Sequence, residues 1–376
     1  MTALASWLPP LGRAEEGGRV LGTIPFVGEG LLPLETSVGR GLGQRRAIDL
    51  TAVSPTTAVI PQDRFFVRTG CPHRLPDAAG WKVRLHGLIE RPLEIAVEEL
   101  RRQSAPQGAH LIECAGNSRN AHFGLISAAR WSGVPLGRVL DRVRPEAGVT
   151  QVLVSGFDEH AEPDPGSVPG ASWIFSLDQV RESGAFLATE MNGAPLSLDH
   201  GRPVRLVVPG WYGCAAIKWV DEIALLGDEA PATAQMREYA GRTHQDPAGP
   251  RDAALMESGQ RPEGPALAKD FKAAVVDPAA LPVRVEKLAG GRYRIRGILW
   301  GPRIPMGALR IRVDPTRDFA PVEEVEDGNG RTWSFWSHVF EPPRPGRYRI
   351  ELKVVAPAVR TRRLDQGYYT REIEIA

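Results

Sequence analysis

The run Glu113-Cys114-Ala115-Gly116-Asn117-Ser118-Arg119 sets one cysteine between an apolar, strand-like lead-in, Ala109 to Ile112, and a polar segment ending in an arginine. A thiolate beside a guanidinium suits a soft metal centre that turns over an oxyanion. The sulfur binds the metal, and the fixed cation holds the anion nearby. Nearby positive charge also favours ionisation of a thiol. The same seven residues fit a buried structural cysteine at a strand end, because free cysteines are usually buried.

Around this run the pattern is that of short strands and short helices. Phe65-Phe66-Val67-Arg68 and Trp81 to Gly87 read as strands, and Pro92 to Val97 as a strand or turn leading into a short helix through Leu100. Leu136 to Val143 predicts a helix with Leu136, Val139, Leu140 and Val143 on its apolar face. Val149 to Ser155 reads as an apolar strand, Leu177 to Glu182 as a helical turn, and Pro203 to Pro209 as a valine-rich strand.

Composition bounds the alternatives. The 376 residues suffice for two domains; 42% are hydrophobic, 24% charged, and the formal net charge is +1. No bulk charge argues for nucleic acid or a membrane surface, so any anion affinity must come from placed arginines. Forty glycines and 33 prolines favour turns and β-structure over a helical bundle. Cys71, Cys114 and Cys214 form no C-x-x-C pair, which argues against a disulfide framework, a zinc ribbon or a thioredoxin-like site. The absence of C-x-x-C-H argues against covalently attached haem. No signal peptide, no twin-arginine pair ahead of an apolar leader core and no membrane-length apolar run is visible, so the sequence as written reads as cytoplasmic; a chain stripped of a leader, and therefore periplasmic, would look the same.

Residues 1–60, rich in glycine and proline without sustained periodicity, predict an extended arm lying over the domain of residues 61–241. Residues 242–267 read as a connector. From 268 to 376 period-two alternation dominates. Val283-Arg284-Val285 and Tyr293-Arg294-Ile295 flank the hairpin signal Gly290-Gly291, and Tyr348 to Leu352 and Ile373 to Ile375 alternate likewise. This predicts a β-sandwich whose arginines lie on solvated outer faces rather than on a nucleic-acid surface.

Several polar residues join Cys114 as candidates. Arg68 closes a strand where an unpartnered buried charge would be costly. His200, Arg205 and Lys218, if gathered in space, would form a cationic pocket suited to a phosphate. Each alone has a plainer account, as a satisfied structural histidine or a strand-end cation.

Taken together, ECAGNSR, the ISAARWSGVPL stretch and MNGAPLSLDHGRPVRLVVPGWYG with the following IKWV resemble the sulfite oxidase family of molybdopterin enzymes, from about Arg64 to Gly241. The resemblance implies an α+β fold: a mixed molybdopterin domain followed by an immunoglobulin-like sandwich that often mediates dimerisation. It implies a molybdenum–molybdopterin cofactor with Cys114 as the thiolate ligand of the metal. Arg68 and Arg119 match the family's anion-pocket arginines, and Trp131 matches an aromatic wall of that pocket. Asp158, His200, Arg205 and Lys218 match positions that hold the pterin and its phosphate; Phe66, beside Arg68, and Ser172 join them as cofactor contacts. Tyr239, in REYAG, resembles the tyrosine beside the metal's oxygen ligands, with a surface aromatic as its alternative.

The implied chemistry is oxygen-atom transfer. Sulfite is the expected substrate, an external acceptor such as a small cytochrome takes the electrons, and a homodimer forms through the C-terminal domain. No haem domain is expected in the chain. Departures stand beside the matches. Thr69-Gly70 replaces the usual Asn-His, and Asp365-Gln366-Gly367-Tyr368-Tyr369 lacks a Trp-Asn run that carries an anion-pocket arginine. Trp211 or Tyr212 is expected to shape the pocket where those contacts are lost. Reduction of sulfoxides on the same cofactor, and a non-catalytic β-sandwich binding protein with a degenerate enzyme domain, are the competing readings.

Overall fold

Two five-stranded sheets carry the first half of the chain. The computed structural model describes residues 19–39, 42–69, 75–160, 171–243, 245, 271–302, 304–328, 330–356, 359 and 361–376. The first sheet runs Ala194–Pro195, Phe186–Met191, Ile126–Pro135, Ala105–Glu113, with Arg205–Val207 also paired to Phe186–Met191. The second runs Leu93–Ala96, Lys82–Gly87, Val220–Leu226, Gln151–Gly156, Ser172–Ser176. Only Lys82–Gly87 against Val220–Leu226 is parallel within it.

The helices are short because each is a link between strands. Leu177–Ser183 begins at a capping box, Ser176 with Gln179, and stops at Gly184, whose φ of 64° a side chain would disfavour. The helix expected from Leu136 to Val143 ends at Leu140, after which the chain turns with Val143 still buried. The valine-rich segment after Pro203 pairs only over Arg205–Val207, since the flanking prolines have no N–H to give to a ladder.

The C-terminal part is the sandwich expected from the alternation. One sheet has the order Val20–Ile24, Ala279–Leu288, Tyr293–Trp300, Ser334–Phe340, Glu323–Glu326; the other has Ala320–Pro321, Leu309–Arg312, Gly346–Val354, Arg371–Ile375. Gly290 and Gly291, both at positive φ, close the predicted hairpin. Its arginines correct the expectation of solvated outer faces. Arg294 is buried, and Glu286 sits among Arg284, Arg294 and Arg296 at 3.0–3.4 Å. Opposite charges paired in one cluster make that burial tolerable.

The arm is more deeply incorporated than a strap. Val20–Ile24 is an edge strand of the sandwich, and Arg45–Arg46 pairs antiparallel with Val67–Arg68. One apolar core runs without a break from Ile48, Phe65, Ile112 and Trp131 to Leu281, Trp300, Trp336 and Ile373. A second lies against the sheet that contains Val220–Leu226. The connector, residues 242–267, falls almost wholly outside the described residues, as do Gly70 and Cys71. No helix among the described residues is long and apolar enough to cross a membrane.

Candidate active site

Strand Ala105–Glu113 ends at Cys114, which forms part of the wall of a cleft enclosing about 870 Å³ of open space. Phe66, Arg68, Asp158, Arg205, Lys218 and Tyr239 line the same cleft. Seven candidates from distant parts of the sequence therefore share one surface. The turn after the strand is tight: the Gly116 N–H donates to Cys114 Sγ at 3.3 Å, and the Asn117 N–H to the Cys114 carbonyl at 2.9 Å.

Arg205 and Lys218 supply the cations on one side. Arg205 is buried, donates to the carbonyls of His200 and Ala216 at 3.2 and 3.3 Å, and stacks on Trp131. Burial lowers its pKa to about 10, which leaves it cationic at neutral pH. Its Nε has no hydrogen-bond partner among the described residues. Lys218 Nζ donates to Thr69 Oγ1 and to the Asp199 carbonyl, each at 2.5 Å. Thr69, the departure noted in the sequence, thus orients a cleft cation. Gly156 lets the chain pass there, because a Cβ would collide with the Lys218 carbonyl and the Asp158 carboxylate.

His200 lies behind this wall, 1% exposed, edge-on to Phe65. Its Nε2–H donates to the Gln62 carbonyl at 3.0 Å, so Nδ1 is left as an unpartnered acceptor. Burial chiefly lowers its pKa to about 3; Asp199 opposes this, and Lys218 and Arg205 act with burial. The imidazole is neutral in the fold.

On the other side, Tyr239 caps the helix Ala234–Glu238. Burial, and secondly the Cys114 sulfur, push its phenol well above the ordinary value. Tyr239 is therefore a neutral O–H donor in the cleft rather than a phenolate.

Other candidates are placed differently. Trp131 does not form the aromatic wall; it packs behind Phe65 and beneath Arg205, while Phe65, Phe66 and Trp219 face the cleft. Arg119 does not line it either, because its guanidinium donates to the Thr370 carbonyl at 2.5 Å. Ser172 is buried at a strand start, its carbonyl taken by the Thr233 hydroxyl, and Ala171 lines the cleft in its place. Trp211 packs on Phe175, and Tyr212 lies under Arg363 with its hydroxyl accepting from the Asp277 N–H. Neither shapes the cleft; Gly213 and Cys214, next in the chain, line it instead.

The C-terminal segment braces the cysteine turn from behind. Tyr368 donates from its hydroxyl to the Asn117 carbonyl at 2.7 Å, and Trp300 Nε1–H to Glu113 at 2.8 Å. Burial raises the pKa of Glu113, with Arg363 at 4.0 Å opposing.

Among the described residues no three histidine, cysteine, aspartate or glutamate side chains gather as a metal-binding set. A metal beside Cys114 therefore needs its remaining donors from a bound group. The cleft fits such a group: the Cys114 sulfur stands in its wall, with the fixed cations Arg205 and Lys218 and an open Arg205 Nε.

The comparisons agree with this geometry. Residues 70–234 match the oxidoreductase molybdopterin binding domain. Sulfite oxidase of Gallus gallus is 29% identical over 76% of this chain and 60% of its own length. The mitochondrial sulfite oxidase of Homo sapiens is 27% identical over 85% and 58% respectively, and a Fusarium oxysporum nitrate reductase 29% identical over 64% and 27%. The chain thus spans at most about three fifths of these relatives. The sulfane dehydrogenase SoxCD of Paracoccus pantotrophus has the same fold, with TM-score 0.65 at 18% identity, covering 100% of this chain and 98% of that one. A mixed α+β fold around a cysteine-bearing, cation-lined cleft, together with the domain match, marks a molybdopterin oxidoreductase. Within that class the chain is similar to the sulfite oxidases.

Proposed function

We propose that the chain oxidises a small sulfur oxyanion, sulfite above others, and passes the electrons to an external acceptor. The carrying observation is that Cys114 shares one cleft with Arg68, Arg205, Lys218 and Tyr239. A molybdenum–pterin group, when bound, supplies two-electron oxygen-atom transfer. Cys114 offers it a thiolate, and Arg205 and Lys218 neutralise its phosphate. Arg68 offsets the charge of the incoming anion, and the Tyr239 hydroxyl donates to an oxygen as charge redistributes.

Overall, sulfite and water become sulfate, two protons and two electrons. A small cytochrome suits the acceptor role, and the sandwich is the natural surface for a second copy. Sulfite is the substrate that the animal relatives' names give.

Steady-state assays on molybdenum-replete protein test this reading. Sulfite-dependent reduction of ferricyanide is expected, and Arg68→Gln should lower kcat/KM by about 10²-fold, the loss of one charge-assisted contact at about 3 kcal/mol. Turnover of sulfoxides with a reduced viologen, without sulfite oxidation, would reverse the assignment.

A further inference from the structure

Arg45 faces Arg68 directly across the strand pair made by Arg45–Arg46 and Val67–Arg68. Directly opposed side chains in an antiparallel pair stand side by side, and like charges there are destabilising. Neither guanidinium has a carboxylate partner among the described residues. The neighbouring Arg46, on the opposite face, contrasts with them: it donates to the Phe65 carbonyl at 3.2 Å and lies 3.8 Å from Asp199.

The backbone fixes this arrangement from both sides. Arg45 exchanges two 2.8 Å hydrogen bonds with Val38, and the Thr69 N–H donates to the Gln44 carbonyl at 3.2 Å. Arg45 is therefore held, exposed, beside Arg68, a cation that lines the cleft. The pKa of Arg45 is lowered chiefly by the charge of Arg68, then by desolvation, while Cys114 and Tyr239 act in the opposite sense. All four groups lie within one electrostatic neighbourhood.

We infer that Arg45, delivered by the N-terminal arm, is a second anion-binding cation of the cleft and, with Arg68, selects doubly charged oxyanions over singly charged ones. This rests on the reading of the cleft as an oxyanion site. Two adjacent uncompensated cations repel until an anion lies between them, and a dianion cancels that repulsion more fully than a monoanion. The arm, which carries no other cleft-side charge among the described residues, thereby sets substrate charge.

Inorganic sulfate binding to the purified holoprotein, followed by calorimetry and by the rise in Tm, tests this without turnover. Wild type should bind sulfate at least tenfold more tightly than nitrate. Arg45→Gln should weaken sulfate at least tenfold and nitrate much less, and Arg45→Lys should restore part of the preference. In turnover, Arg45→Gln should act mainly through a higher KM for sulfite. Equal sulfate affinity in wild type and Arg45→Gln, or no sulfate binding by wild type, overturns the inference. Arg45-dependent sulfate binding without any sulfite oxidation supports it and refutes only the functional reading.

Discussion

His200 sits in the fold with a pKa of about 3 against an ordinary 6.5, because burial disfavours its charged form more than the neighbouring Asp199 favours it. Between those values the unfolded chain binds a proton that the folded chain does not. Stability therefore rises with pH across the window and is lost as pH falls through it. Replacing His200 with glutamine, which keeps a donor for the Gln62 carbonyl, should remove that component, up to about 1.4 kcal/mol per pH unit. Denaturant titrations of wild type and His200→Gln from pH 7 to pH 4 would measure the difference in slope; parallel curves would contradict it. Much of this site was legible in the sequence. Phe66, Arg68, Cys114, Asp158, Arg205, Lys218 and Tyr239 lie in runs whose resemblance is residue by residue, and the fold brings them to one cleft. Arg45 was not legible, because it lies in an arm without periodicity and matters only through its register with Arg68. Trp131 was misplaced for a related reason. Whether an aromatic forms a wall or backs one depends on what packs in front of it, here Phe65.

At the level of elements, the final strand Arg371–Ile375 joins pieces that lie far apart in sequence. Arg371 is 3% exposed; its Nε donates to Glu29 at 2.7 Å, and its other nitrogens to the carbonyls of Pro282 and His122. It also stacks on Phe26 and Phe123. The arm, the turn after Cys114 and the sandwich are held through one side chain. Arg371→Ala should cost about 3–5 kcal/mol, since it leaves the buried Glu29 carboxylate unpaired and opens a cavity between rings. Urea unfolding would report this as a lower midpoint, and a midpoint within error of wild type would contradict it. Periodicity located the strand but could not disclose the role of Arg371, whose partners come from three other regions. The alternating arginines of the hairpin show the same limit, because Glu286 draws Arg294 into the interior. The arm likewise looked like a strap in one dimension and contributes strands to two sheets in three.

Across the whole molecule, the cleft is assembled from residues 65 to 239 and its cysteine turn is braced by residues 300 to 369, within one continuous apolar core. The sandwich is therefore part of the site's support, through Trp300 on Glu113 and Tyr368 on Asn117. The α+β class was readable from the family resemblance, and the change to alternating strands from period. The bracing was not, because it depends on how the two halves pack. All of it serves to fix one sulfur in a cation-lined cleft, and elemental analysis of the purified protein tests that most directly. About one molybdenum per chain in wild type, lost in Cys114→Ser and kept in Cys214→Ser, is the expected result, since only Cys114 is assigned as the soft ligand. Molybdenum absent from folded wild type produced with cofactor supply, or retained in full by Cys114→Ser, would contradict the account.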